Sequence, residues 1–405
     1  MTTFKQISGN VCAPLGFKAS GIAVGLKKSQ KPDLSLIYSE VPANAAGVYT
    51  KNKIKAAPLL LTKKNVKKGQ LKAIITNSGN ANSCTGKEGK QHAQQTMEEL
   101  ATQLKIKPHL VAVSSTGVIG VSLPIEKILT GIPKLTEQLA HDGGEAAARA
   151  ILTTDTFIKE EAIELKLSNG NKVRIGGISK GSGMIHPNMA TMLAYLTSDI
   201  NISAELLQTT LTMVVNNSFN MISVDGDSST NDMALVMANG MAKNSQITSV
   251  KDPDWEIFYH GLSYVCTSLA RQIAKDGEGA SKLITVNVHG AKTTKAAKCI
   301  AKSVISSSLF KSAVFGNDAN WGRIACAIGY AETQIKLQKL VIALEDLTLF
   351  ANGLPIAFDE TLAYSLLDKP EVVINVNLGM GDKTATAWGC DLTYDYVKIN
   401  AAYRT

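Results

Sequence analysis

The chain reads Ile178-Ser-Lys-Gly-Ser-Gly-Met-Ile-His-Pro-Asn-Met-Ala-Thr-Met-Leu-Ala-Tyr-Leu-Thr-Ser-Asp199, and this stretch changes character halfway. From Lys180 to Asn188 it holds Gly181, Gly183 and Pro187, which predict an irregular loop with exposed backbone. From Thr191 it turns apolar through Met192, Leu193, Ala194, Tyr195 and Leu196, a run whose length fits a buried strand better than a helix. The junction is Ala190-Thr191, a small residue followed by a β-hydroxyl at the mouth of the strand. That order suits an N→O acyl shift, in which the Thr191 hydroxyl attacks the Ala190 carbonyl and water splits the resulting ester. Thr191 would then head a new chain, and its own amine, with a pKa of about 7.7–8.0, can act as base for its own hydroxyl. The dipeptide alone is ordinary. It recurs at Ala101-Thr102 and Ala385-Thr386, and a threonine opening a core strand reads the same way.

Upstream, residues 14–58 alternate short apolar runs with turns and predict strands forming one face of a sheet. Leu71–Thr76 predicts a strand entering the polar loop Asn77-Ser-Gly-Asn-Ala-Asn-Ser-Cys-Thr-Gly86. A helix follows, with Ala93, Met97, Leu100, Ala101 and Leu104 on one side. Leu110–Gly120 reads as a strand running into a turn, where a glycine N–H at Gly117 and the hydroxyl of Thr116 are the kind of donor pair an acyl-transfer oxyanion requires. A tight turn needing glycine for its dihedrals gives the same local sequence. Helical pattern at 124–130 resumes at 133–139, with a break expected at Gly131 and Pro133. A helix over 145–152 stops at Thr153-Thr-Asp-Thr156, a cluster typical of capping, and strands over 161–166 and 172–178 lead to Lys180.

Downstream, a helix over 203–217 faces Leu206, Leu207, Thr210, Leu211 and Val214 inward. Ser223–Asp232 reads as a polar loop before the strand Met233–Ala238, and a long helix from Asp252-Pro253 runs to Lys275. Its exit, Asp276–Lys282, sets Glu278 between Gly277 and Gly279. A helix over 293–308 precedes the Gly loop 315–323. The remainder reads mostly as strands (336–345, 372–378, 384–391) with a frayed terminus. Two motifs mislead. Gly177-Ile-Ser-Lys-Gly181 satisfies the nucleophile elbow G-x-S-x-G, but Gly183 and Pro187 stand where a helix must follow. The Asp225-Gly-Asp227 loop lacks the glycine and distal glutamate of an EF-hand.

Composition narrows the classes. With 405 residues, 45% hydrophobic, 19% charged and only 5% aromatic, the chain is an ordinary globular protein. Forty-two Lys and Arg against 34 Asp and Glu leave +8, scattered apart from Lys63, Lys64, Lys67 and Lys68, so nucleic acid is not the expected partner. No signal peptide or membrane span is expected, since the N-terminus lacks an apolar core and Leu110–Ile125 is too short and too polar to cross a bilayer. Six dispersed cysteines without a C-x-x-C pair read as free, mostly buried thiols in a reducing cytoplasm. Cysteine and histidine spacing predicts no metal site.

The run Lys180–Ala194 resembles the self-cleavage segment of the ornithine acetyltransferase family, the arginine-biosynthetic enzymes also called glutamate N-acetyltransferases. The 14–58, 77–86, 223–232 and 315–323 segments match family motifs in order, with Ser228 where a threonine is usual. The resemblance implies a mixed α/β multilayer sandwich similar to N-terminal nucleophile hydrolases but differently connected. It implies cleavage between Ala190 and Thr191 into an alpha fragment (1–190) and a beta fragment (191–405), assembled as a heterotetramer of two of each. Thr191 is the implied nucleophile, and Thr116 with Gly117 the implied oxyanion hole. Thr154, Lys180, Thr191, Glu278, Asn400 and Thr405 are the implied substrate contacts, the last two on a tail that closes over the site. On charge, Lys180 suits a substrate carboxylate and Glu278 the ornithine ammonium. The implied reaction moves acetyl from N-acetylornithine to glutamate without a cofactor, leaving open whether acetyl-CoA is also a donor. The rivals are an aminopeptidase or amidase with the same nucleophile, and a metabolite-binding protein that never cleaves.

Overall fold

A computed structural model describes residues 4–186 and 192–402. The cleavage pair Ala190-Thr191 and the terminal Thr405 therefore lie outside the described residues. The described residues form sixteen strands and eleven α-helices in two compact units. The first holds residues 4–181, 192–218 and 228–269, and the second holds 182–186, 219–227 and 270–402.

The first unit is built on a nine-stranded mixed sheet. Its strands are β1 (Phe4–Gln6), β2 (Phe17–Ile22), β3 (Leu34–Tyr49), β4 (Gln70–Asn80), β5 (Val111–Val118), β6 (Lys159–Lys166), β7 (Lys172–Lys180), β8 (Leu193–Ser198) and β10 (Met233–Ala238). The order is β1-β6-β7-β8-β10-β3-β4-β5, with β2 also paired to β3. Side chains alternate across a strand, and the central strands sort their apolar residues into two cores accordingly. Ile37, Ala45, Leu71, Ile74 and Ala112 belong to one core, which helices α1 (Ala57–Val66) and α4 (Gly144–Ile151) join through Leu59, Val66, Ala148 and Ile151. Leu34, Leu36, Ala73, Ile75, Val111 and Val113 belong to the other, joined by α2 (Gly86–Gln103) and α3 (Ile125–Glu137). Two apolar faces covered by helices give the expected multilayer α/β arrangement. β8 and β10, both beyond Thr191 in sequence, lie in the middle of a sheet otherwise made from residues before Ala190.

The second unit carries a seven-stranded mixed sheet of order β14-β13-β12-β15-β11-β16-β9. Its strands are β9 (Ile222–Ser223), β11 (Leu283–Ala291), β12 (Val341–Leu344), β13 (Leu347–Ala351), β14 (Leu354–Pro355), β15 (Glu371–Asn377) and β16 (Lys383–Cys390). Helix α7 (Thr294–Ile305) lies on β11 and β16, and α8 (Ser308–Phe315), α9 (Trp321–Gly329), α10 (Glu360–Leu367) and α11 (Tyr394–Ala401) complete it. Helix α5 (Ala204–Val215) belongs to the first unit, and α6 (Pro253–Lys275) passes from the first to the second after Leu269.

Several sequence expectations are corrected. The helix over 125–137 is continuous, with Pro133 inside it. An interior proline costs roughly 3 kcal/mol, but Ile128, Ile132 and Leu135 are all fully buried, each burial worth about 1.5–3 kcal/mol. Burial wins. Of the short strands expected over 14–58, those within 34–49 are one 16-residue strand. Along one edge it pairs with β2 over its first half and with β10 over its second, and along the other edge with β4. β4 extends through the polar Asn77–Asn80, because their side chains are satisfied internally: Ser115 Oγ donates to Asn77 Oδ1 at 2.5 Å, and Asn77 Nδ2 to the Asn80 carbonyl at 2.9 Å. The loop expected over 315–323 is shortened by α8 and α9, and α10, capped by the Asp359 carboxylate, lies between the strands expected over 336–345 and 372–378. The terminus expected to fray forms α11. Of the six free thiols only Cys266 and Cys390 are buried, and Cys84 and Cys326 are exposed.

Candidate active site

In the first unit, Thr116 and Gly117 lie within β5 rather than in a turn after it, both half-buried. Gly117 has φ +130°, and a Cβ there would sit 2.3 Å from the Gly79 carbonyl carbon. Only glycine allows the two backbones to approach this closely. The dihedral requirement expected of a glycine is thus met, and the close approach to Gly79 adds a second reason for it.

Lys180 and Thr153, the neighbour of Thr154, are tied together by a residue that the sequence reading left as part of a cap. Asp155, in the Thr-Thr-Asp-Thr cluster, is not merely a cap. Its Oδ2 accepts from the Thr153 N–H at 2.9 Å, and its Oδ1 accepts from Lys159 Nζ and from the Gly181 N–H, both at 2.7 Å. Lys180 Nζ stands 3.9 Å from the same carboxylate, an ion-pair distance too long for a hydrogen bond. The side chains of Asp155 and Lys159 are wholly buried, and Lys180 is 7% exposed. Burial opposes the charge on Asp155, yet Lys180 and Lys159 outweigh it and hold the carboxyl below its usual range. Lys27 is pushed down to about 8 by burial, against the pull of Asp33 and Asp155 and with the Lys180 charge adding to the fall. Asp232 goes the other way. Burial raises it well above the usual carboxylate range despite Ser229 and Lys180, and its Oδ2 has no hydrogen-bond partner among the described residues.

The strand led by Thr191 in sequence is fixed beside these groups. Leu193 pairs with Lys180 of β7 on one side and with Met233 of β10 on the other, and the Met233 N–H donates to the Met192 carbonyl at 3.0 Å. From Met192 onward the chain therefore runs between β7 and β10, beside Lys180 and Met233. Ser179 of the rejected elbow is an interior residue of β7, and no helix follows it.

In the second unit, Glu278 and Asn400 meet. Asn400 Nδ2 donates to Glu278 Oε2 at 2.8 Å, and Glu278 is 7% exposed. Its carboxyl carbon lies where a Cβ on Gly183 would be, 2.3 Å away, so the Gly-Ser-Gly loop is cut to receive it. The Glu278 N–H donates to the Ser182 carbonyl, and Ser182 Oγ to the Asp276 carbonyl. Asp225 pins the next residues, accepting from the N–H groups of Met184 at 2.5 Å and Ile185 at 2.8 Å. The Asp-x-Asp pattern thus serves a backbone clamp. Burial raises the Asp225 carboxyl and the Tyr396 hydroxyl, the latter with the charges of Asp225 and Glu278 adding. Among the described residues no cluster of three or more His, Cys, Asp or Glu side chains is arranged for a metal, and no helix is long and apolar enough to cross a membrane.

The model of the ArgJ family matches residues 18–405. This chain belongs to the ArgJ family. A relative in Oceanobacillus iheyensis, "Arginine biosynthesis bifunctional protein ArgJ", is 51% identical over 411 residues, spanning 100% of this chain and 99% of the relative. The "Arginine biosynthesis bifunctional protein ArgJ 1" of Clostridium acetobutylicum is 50% identical over all of both chains. A crystallised argJ chain from Bacillus halodurans is 48% identical with a TM-score of 0.50, covering 51% of this ArgJ-family chain and 97% of its own.

Proposed function

We propose that this chain is a self-cleaving acetyltransferase of arginine biosynthesis that carries acetyl from N-acetylornithine to glutamate through Thr191. The observation that carries the reading is the full-length match at 51% identity to a bifunctional protein of arginine biosynthesis. Maturation begins when Thr191 Oγ attacks the Ala190 carbonyl; the C–N bond breaks and frees the Thr191 amine, and water then hydrolyses the ester to release the Ala190 carboxylate and the Thr191 hydroxyl. In turnover, that amine takes the proton of Oγ as the oxygen attacks the acetyl carbonyl of N-acetylornithine. The oxyanion is held by Thr116 and Gly117, and the C–N bond breaks as the amine returns its proton to the leaving ornithine nitrogen. The glutamate amine then attacks the Thr191 ester, giving N-acetylglutamate and the free hydroxyl. Acetyl-CoA as a second donor would load the same hydroxyl.

Lys180, fixed by Asp155 but not consumed by a hydrogen bond to it, suits the α-carboxylate that both substrates share. Glu278 suits the ornithine ammonium, with Asn400 orienting its carboxylate. Thr154 and Thr405 are further substrate contacts. A sheet that interleaves strands from both sides of Ala190-Thr191 supports fragments that remain together after cleavage, here assigned as a heterotetramer in the cytoplasm. The half-length B. halodurans chain, matched over 97% of itself by 51% of this one, also supports two fragments.

The test is acetyl transfer by purified protein from N-acetylornithine, with glutamate or water as acceptor. Preference for glutamate is expected. Steady release of acetate without glutamate would make the enzyme an amidase, and a single uncleaved, inactive chain would make it a binding protein.

A further inference from the structure

Asn231 is 4% exposed and stands just before β10, on the same run as Asp232 and Met233. Its side-chain amide spends both hydrogens on backbone carbonyls far away in sequence. Nδ2 donates to the Ala81 carbonyl at 2.6 Å and to the Ser115 carbonyl at 2.8 Å. Its Oδ1 accepts from Thr230 Oγ1 at 2.6 Å, so the amide cannot turn over without losing three bonds. Ser115 directly precedes Thr116, and the Ala81 N–H donates to the carbonyl of Val118, which directly follows Gly117. The segment Ser115–Val118 is thus pinned at both ends by one bracket. Asn231 holds its first carbonyl, Ala81 holds its last, and Asn231 also holds Ala81.

The bracket has a second arm. Two residues beyond Asn231, the Met233 N–H holds the Met192 carbonyl. One short run therefore grips the turn-free strand end bearing Thr116 and Gly117, and also the chain one residue past Thr191.

We infer that Asn231 is a positioning residue for acyl transfer, setting the direction of the Thr116 and Gly117 donors relative to the strand headed by Thr191. The inference rests on the oxyanion role proposed above for that pair. Removing the amide leaves two buried carbonyls without their donor and frees the segment to shift. Displacing a catalytic group by about 1 Å costs roughly 10²-fold in rate, and the loss belongs in kcat because the donors act on charge that develops only in the transition state.

The experiment uses full-length, self-processed enzyme carrying Asn231→Ser, Thr116→Ala, or both, with Asn231→Asp as a second, nearly isosteric removal of the donors. Asn231→Ser is expected to lower kcat by roughly 10–10²-fold with KM for N-acetylornithine within about threefold of the wild type. Once Thr116 has lost its hydroxyl only the Gly117 donor is left to be misdirected, so the double variant should lose clearly less than the product of the two single losses. Independent, multiplying losses would make Asn231 a structural residue and overturn the inference. So would a raised KM at unchanged kcat, wild-type rates in both Asn231 variants, or failure of both to fold, since the inference assigns direction rather than stability. Wild-type kcat in Thr116→Ala would instead remove the oxyanion role itself, a failure read from that variant alone.

Discussion

The two sets of candidate residues are held in opposite ways. In the first unit, Thr116, Gly117 and Lys180 stand on strands, and every group that fixes them is buried: Asp155, Lys159, Asn77, Asn231. In the second, Glu278 stands on a loop and Asn400 on α11, a helix with no buried residue and with Tyr394 and Val397 largely exposed. A Cβ on Gly279 would lie 2.7 Å from the Tyr396 backbone nitrogen, and Thr393 Oγ1 donates to the Gly279 carbonyl at 2.6 Å. α11 is thus attached through a few local contacts. The difference suits a division of labour. The pair proposed to hold the oxyanion stands on a strand, while Asn400, proposed to orient the buried Glu278 carboxylate, takes a surface seat.

The sharpest way to break this contrast is Asp155→Asn. Removing one partner of a wholly buried ion pair strands Lys159 and Lys180, and costs about 3–5 kcal/mol. Denaturant unfolding of the variant should show that loss, and a change within experimental error would mean the lysines are held by something else. Next in size is Thr116→Ala, expected to lower kcat by roughly 10²–10³-fold with little change in KM. A raised KM at constant kcat would move Thr116 from the transition state to ground-state binding.

The surface half should respond differently. Asn400→Ala removes a hydrogen bond to a charged group, worth about 1.5–3 kcal/mol. Its effect on activity is expected mainly in KM for N-acetylornithine, with the melting temperature lowered by a few degrees. A dominant fall in kcat would place Asn400 with the fixed groups instead.

A pH-dependent effect concerns Lys302 in the second unit. Burial alone pushes its ammonium down to about 7 from the usual 10.5, and its Nζ donates to the Ile222 carbonyl at 2.9 Å. Between those values the unfolded chain binds the extra proton, so stability rises as pH climbs through the window. Lys302→Met lacks this dependence. The melting temperature of the variant minus that of the wild type should therefore fall from pH 7 to pH 10, and a constant difference would mean Lys302 keeps its ordinary affinity for protons.

What the sequence revealed follows the same division. The buried faces of α2 and α5 were legible because 3.6-residue periodicity marks them: Ala93, Met97, Leu100 and Ala101, then Leu206, Leu207, Thr210, Leu211 and Val214. Gly117 was legible as special, though its reason, contact with Gly79 on the next strand, was not. Asp155 and Asn231 were missed because their partners lie 26, 116 and 150 residues away. Hydrogen bonds between strand ends leave no period. The one available signal was composition: a carboxylate or amide beside threonines, which local chemistry reads as a cap. Pro133 misled because propensity is local and its compensation, a fully buried helix face, is tertiary.

The central claim is that Thr191 carries the acetyl group. It is tested most directly by intact-mass measurement of the denatured protein after mixing with N-acetylornithine and no glutamate. The account predicts two fragments, of 190 and 405 − 190 = 215 residues, with the larger heavier by one acetyl group and returned to its original mass by glutamate. Cleaved enzyme that releases ornithine only when glutamate is present, with no acetylated fragment at any time, would contradict it.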